Sequence, residues 1–180
     1  MTTHNFETLS RVVIAHSAAA TWARAVEEWQ VVSMIQDPTE SGVCVCGKTG
    51  LIYLYTIRNT RTATDLFPIG SSCVELFEVE ELDVSVNVLR RLLELRIAFE
   101  AGKQIELTSK HFSRAMLADL YENGAFPPND YNRSNGYNDY KFLLDMFNQH
   151  HDFTSNENKK VWVLINRTIR TFVLDDPRLG

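Results

Sequence analysis

Residues 43–59 read Val-Cys-Val-Cys-Gly-Lys-Thr-Gly-Leu-Ile-Tyr-Leu-Tyr-Thr-Ile-Arg-Asn, or VCVCGKTGLIYLYTIRN. Two cysteines stand one residue apart, a glycine follows, and then comes a run of β-forming residues. The chain has only three cysteines, and the third, Cys73, lies in PIGSSC (68–73). The segment between them, LIYLYTIRNTRTATDLFPIG, reads as a hairpin. LIYLYTIRN is a strand with Leu51, Tyr53, Tyr55 and Ile57 on one face, and TRTATD is a turn. LFPIG is a short return arm in which Pro68 marks a sheet edge or strand end. A turn at CVCG presents two sulfurs to one point, because glycine lets the backbone bend there. The return arm delivers Cys73 to a helix start, where the positive end of the helix dipole favours a thiolate. Tetrahedral zinc needs this kind of presentation, with ligands at a tight bend and another returned from elsewhere.

Outward from the hairpin the periodicity changes. Residues 6–29 read as helical, with Ser17 capping the alanine-rich AAATWARAVEEW. QVVSMIQ (30–36) is a further strand, closed by the turn DPTESG. Beyond Cys73 the chain reads as all-helical. Asp83 or Ser85 caps VNVLRRLLELRIAFEAG, where Leu89, Leu92, Leu93, Arg96 and Ile97 form the buried stripe and Gly102 the C-terminal stop. SKHFSRAMLADLYENG is a second helix ending at Gly124, and YKFLLDMFNQHH a third. Thr154 or Ser155 caps NENKKVWVLINRTIRTFVL, whose Val161, Leu164, Ile165, Ile169, Phe172 and Val173 share a face. The expectation is therefore an α+β protein. A small zinc-stabilised antiparallel sheet, roughly Gln30 to Phe77, packs with an N-terminal helix in residues 1–82, and residues 83–180 form a helical part.

The charge balance narrows the functional classes. The net charge is −5, and nucleic-acid binders usually carry a basic footprint, because phosphate contacts supply much of their affinity. A protein partner is thus favoured over nucleic acid. The N-terminal MTTHNFETLSR lacks the basic start and apolar run of a signal peptide, and no apolar run is long enough to span a bilayer. These features point to a cytoplasmic protein without membrane association. There thiols stay reduced, and clustered cysteines are metal-binding or catalytic more often than disulfide-bonded. Cys44, Cys46 and Cys73 supply three zinc ligands. The fourth is water or comes from His16, His111, His150, His151 or, less favoured, His4, with His16 ahead because it precedes the segment leading into the sheet. There is no HExxH and no H-x-E…C-x-x-C pattern, so structural zinc leads over a zinc-dependent hydrolase or nuclease.

Surface contacts have two candidate regions. Lys48, Arg58, Asn59 and Arg61 place cations and an amide beside the knuckle and at the hairpin tip, where a nucleic-acid-binding regulator would touch phosphate. The basic side of the last helix, with Lys159, Lys160, Arg167 and Arg170, would join them. The long loop AFPPNDYNRSNGYND carries Tyr131, Arg133 and Tyr137, residue types that suit an adaptable protein-binding surface.

The knuckle, hairpin and helix start resemble the treble-clef layout of zinc modules. Two departures separate them: a single residue between the first cysteines, and one cysteine rather than two on the helix. The wider string CVCGKTGLIYLYTIRNTRTATDLFPIGSSCVELF, preceded by ATWARAVEEW, resembles a module in small uncharacterised proteins of bacteria, their phages and plasmids. Those share C-x-C-G, Y-x-I-x-N and I-G-S-x-C followed by an aromatic. GAFPPNDYNRSNGYNDYKFLLDMFN is similar to their second half. The resemblance implies a metal-ligand role for the three cysteines and a mobile-element setting. Together these features lead to the expectation of a non-enzymatic zinc-binding regulator or inhibitor acting by protein–protein contact.

Overall fold

The computed structural model describes residues 3–149 and 152–180. It divides into two units: residues up to Leu89 together with Pro177–Gly180, and Arg90–Asp176. The division falls within one helix rather than at residue 82, and the last four residues belong with the first unit.

The first unit combines helices with a three-stranded antiparallel sheet of order β1-β2-β3. Helix α1 spans Thr3–Ala15, and a short α2 spans Trp22–Ala25. β1 is Trp29–Gln36, β2 Tyr53–Asn59 and β3 Asp65–Ile69. β1 and β2 pair from Trp29↔Asn59 to Gln36↔Tyr53, with an irregularity between Val31 and Ser33. β3 is an edge strand and carries Pro68, where the lost N–H costs the ladder least. Tyr55 and Ile57 are buried on one face of β2, with Met34, Leu66 and Ile69 buried on the neighbouring strands. Ring contacts connect the helices below: Trp22 packs edge-on against both Phe6 and Phe77, at 5.3 Å each. Phe67 is exposed.

The continuous helix expected over residues 6–29 is broken, and the cause is one buried carboxylate. Glu28 is 2 % exposed. Its oxygens accept the backbone N–H groups of Ala18 and Ala19 at 2.8 and 3.0 Å. Those amides leave the helical ladder, so α1 stops at Ala15 despite the alanine run. Ser17 therefore caps nothing. Its hydroxyl donates to the Val13 carbonyl at 2.8 Å and accepts from the Trp29 indole at 3.0 Å.

After Cys73, on the four-residue helix α3 (Ser71–Val74), the long helix α4 runs Glu80–Glu100. It starts before Asp83 and Ser85, which lie inside it; the Ser85 hydroxyl donates back to the Glu81 carbonyl. Leu89, Leu92 and Leu93 are buried as their spacing requires, whereas Ile97 is 42 % exposed. The second unit adds α5 (Arg114–Glu122), α6 (Tyr137–Asn148), α7 (Ser155–Val163) and α8 (Arg170–Asp175). Thr154 and Glu157 form a reciprocal capping box at the start of α7. A π-helical stretch, Leu164–Ile169, joins α7 to α8. His150 and His151 lie outside the described residues. No helix among the described residues is long and apolar enough to cross a membrane.

Candidate metal centre

The three cysteines converge. The ligand atoms of Cys44, Cys46 and Cys73 all lie within 4.8 Å of one another. Cys44 Sγ and Cys46 Sγ are each 3.4 Å from Cys73 Sγ. All three side chains are buried, at 3, 1 and 1 % exposure, and none is in a disulfide. Thiolates bound tetrahedrally to one zinc at ~2.3 Å stand about 3.8 Å apart. The observed separations fall a few tenths of an ångström inside that figure, so the donor set fits a thiophilic ion.

Local turns explain the convergence. The Cys44 N–H donates to the Lys48 carbonyl at 2.8 Å, and the Gly47 N–H returns to the Cys44 carbonyl at 2.7 Å. Gly47 sits at φ +89°, a conformation that side chains resist. The Val45 N–H reaches the Pro68 carbonyl at 2.9 Å, which ties the knuckle to β3. Gly42 bridges to Leu51 and closes the base of the excursion. A Cβ at Gly42 would press on the end of the Leu54 side chain, which would have to move to admit it. On the returning side, the Cys73 N–H donates to the Gly70 carbonyl and starts α3.

The electrostatics favour a thiolate within the cluster. Its Cys73 neighbour, with help from the Cys46 and Gly70 N–H groups, holds the Cys44 thiol down to about 5 against the effect of burial. The same Cys44 sulfur, followed by burial, pushes the Cys73 thiol up. The Asn5 amide, on the first turn of α1, donates to the Cys46 carbonyl at 3.3 Å and lies 3.7 Å from its sulfur. Backbone and amide N–H groups around sulfur ligands tune charge and hold orientation at metal sites. Spacing alone does not reveal Asn5, which lies 41 residues from Cys46.

No other histidine, cysteine or carboxylate among the described residues joins the three sulfurs. His16 is not brought to them. It is exposed just past α1, and its carbonyl accepts the Thr62 hydroxyl in the turn after β2. The cysteines lie toward the other end of β2, where Ile69, four residues before Cys73, pairs with Tyr55. His4 is exposed on the first turn of α1, and His111 belongs to the second unit. A cavity of about 170 Å³, lined in part by Lys48, Tyr53, Ser71 and Cys73, opens beside the cluster.

The hairpin tip differs from a free basic patch. Arg58 makes a two-pronged ion pair with Asp65 across the hairpin, at 2.6 and 2.7 Å. Asn59 is fully buried: its amide donates to Glu28 at 2.9 Å, and its oxygen accepts the N–H groups of Arg61 and Thr62. It organises the turn and offers a partner nothing. Arg61 is exposed, 3.8 Å from the Glu28 carboxylate. Lys48 is exposed beside the knuckle. On the last helix, Lys160 pairs with buried Asp139 at 2.9 Å and covers the Phe142 ring.

In the long loop, buried Asn132 is the anchor. Its amide donates to the Pro127 carbonyl and Asp139, and its oxygen accepts the N–H groups of Asn129 and Asn135. Arg133 follows in the left-handed region and is exposed. Tyr131 is 95 % exposed, while Tyr137 packs against Tyr121 and Tyr140. No family model matches the chain, and no curated protein or solved structure is similar to it.

Proposed function

We propose that the chain is a zinc-binding interaction protein without catalytic activity of its own. The observation that carries this reading is the buried trio Cys44, Cys46 and Cys73, with sulfurs 3.4 Å apart across the Cys73 pairs. Bound zinc would cross-link the knuckle to the start of α3 and hold the hairpin between them rigid. Cys44, Cys46 and Cys73 would hold it, and a water or an added ligand would complete the four-coordinate shell.

The protein would act by contact with another protein, as a regulator or inhibitor of the kind a phage or mobile element carries. Tyr131 supports this choice: a tyrosine left almost wholly in solvent by a loop pinned from beneath is a preorganised contact residue. The nucleic-acid alternative is weakened, since Arg58 and Lys160 are already neutralised by carboxylates and Asn59 is buried.

Metal analysis of the purified full-length chain beside Cys44→Ser, Cys46→Ser and Cys73→Ser tests the metal. About one zinc per chain, abolished by each substitution, is expected; a metal-free parent as stable as its variants sinks the reading. Cross-linking in nuclease-treated extract then compares the parent with Tyr131→Ala. Adducts to one protein that disappear with the substitution support the contact surface. Adducts that need nucleic acid assign the protein to the alternative class.

A further inference from the structure

A second site stands on residues unconnected with the cysteines. The second unit contains a cleft of about 270 Å³, lined by Arg91 and Glu94 of α4 and by Lys103, Gln104, Lys110 and His111 from the chain that follows. Two of its nitrogen donors are held in place by backbone. Arg91 Nη2 donates to the carbonyl oxygens of Ser109 at 2.6 Å and Phe112 at 3.0 Å. His111 Nδ1 lies 3.2 Å from the backbone nitrogen and oxygen of Glu106. Those contacts orient the guanidinium and the imidazole while using only one nitrogen of each. Arg91, Lys103 and Lys110 form no ion pair among the described residues. Three cations against the single carboxylate of Glu94 leave the lining at a formal +2, on a chain whose net charge is −5. Leu95 and Ala98 add apolar surface.

We propose that this cleft binds the phosphate-monoester group of a small molecule. A dianion matches the formal charge of the lining. With Nη2 committed to those two carbonyls, the guanidinium keeps its Nε and Nη1 hydrogens for phosphate oxygens, and ammonium groups add point charges. Donors fixed before the ligand arrives lose less entropy on binding than mobile ones. The volume is just below the ~300–1,000 Å³ typical of small-molecule pockets, which restricts the ligand to a phosphate and a short carbon skeleton that Leu95 and Ala98 can cover. Glu94 within the lining opposes a continuous polyanion, which separates this site from a groove that tracks a nucleic-acid backbone.

Calorimetric titration of the full chain at low ionic strength tests the site. The probes are inorganic phosphate, ribose 5-phosphate, sulfate and an oligothymidylate with hydroxyl ends, which presents diesters alone. Saturable binding of both phosphates at one per chain is expected, with sulfate, also a tetrahedral dianion, competing for the same site. Lys103→Gln and Lys110→Gln each remove an exposed, unpaired cation, leave the thermal midpoint unchanged and weaken ribose 5-phosphate about tenfold, the worth of one charge-assisted hydrogen bond. Arg91→Lys, which keeps the charge and loses the backbone-anchored planar donors, also weakens it. Absence of saturable phosphate binding, or lysine variants that bind as the parent does, overturns the proposal. Tighter binding of the oligothymidylate also overturns it and assigns the cleft to nucleic-acid backbone.

Discussion

Glu28 concentrates several interactions in one side chain. It accepts from Asn59, Ala18 and Ala19 and faces Arg61, and the Asn59 amide leads in holding its carboxyl below the ordinary value of 4.5 while burial opposes. A carboxylate depressed in the folded state stabilises fully above its unfolded pKa, and that contribution is lost as pH falls through the folded value. Urea midpoints of the parent should therefore drop between pH 7 and the acid range, and Glu28→Gln should flatten that part of the dependence while lowering the midpoint at pH 7. Asn59→Ala, which strands the carboxylate and two turn N–H groups, should cost about 2 kcal/mol by chemical denaturation. At this scale the cysteine trio was legible, because thiol spacing around a glycine carries its own geometric meaning. Asn59 and Glu28 were not. An asparagine before a polar turn has the sequence appearance of a solvated tip, and a glutamate before a tryptophan gives no sign that the fold buries it. His16 lies by the turn after β2, since chain proximity to a sheet says nothing about which end of the hairpin a residue meets.

Among the elements, helix ends carrying local chemistry were readable and those set by distant partners were not. Thr154, one of the two caps expected there, opens α7 in a box with Glu157. Thr154→Ala should lower stability by about 1 kcal/mol, seen as a shift in the thermal midpoint. The break after Ala15 has no local sequence signal, because alanine-rich sequence favours helix and only the distant carboxylate overrides it. The π-helical stretch at Leu164–Ile169 was equally hidden, since Val161, Leu164, Ile165 and Ile169 keep a plausible helical stripe through it. The loop before α6 depends on Gly136, whose added Cβ would run into the Phe126 carbonyl oxygen. Gly136 has an ordinary negative φ, so the clash alone decides the outcome. Gly136→Ala should destabilise by about 1–3 kcal/mol, the range for overpacking, with the loss read from denaturant midpoints.

For the whole molecule, the α+β class and the antiparallel sheet followed from the change of hydrophobic period along the chain, from two to 3.6. The partition did not, because α4 shows no break in pattern where the two units meet at Leu89 and Arg90. That partition gives the metal reading a regional signature. Hydrogen exchange on chelator-treated protein should show lost protection across the knuckle, β2, β3 and α3. Amides of α5 and α6, in the unit without the cysteines, should keep theirs. Uniform loss in both units would show that the metal does more than staple the hairpin.

The return of Pro177–Gly180 to the first unit also bears on the order of folding. Leu179 is buried, and this last segment packs with β1. The first unit is thus discontinuous in sequence, with the whole of the second inserted into it. Closing β1 onto the final residues means closing a very long loop while the insert is unfolded, and the entropy of that closure grows with the flexible length between the ends. An insert that has already become compact shortens that length. The economical route has the helical unit forming early and the last residues docking on the sheet late, so that substitutions at Leu179 would speed unfolding far more than they slow folding.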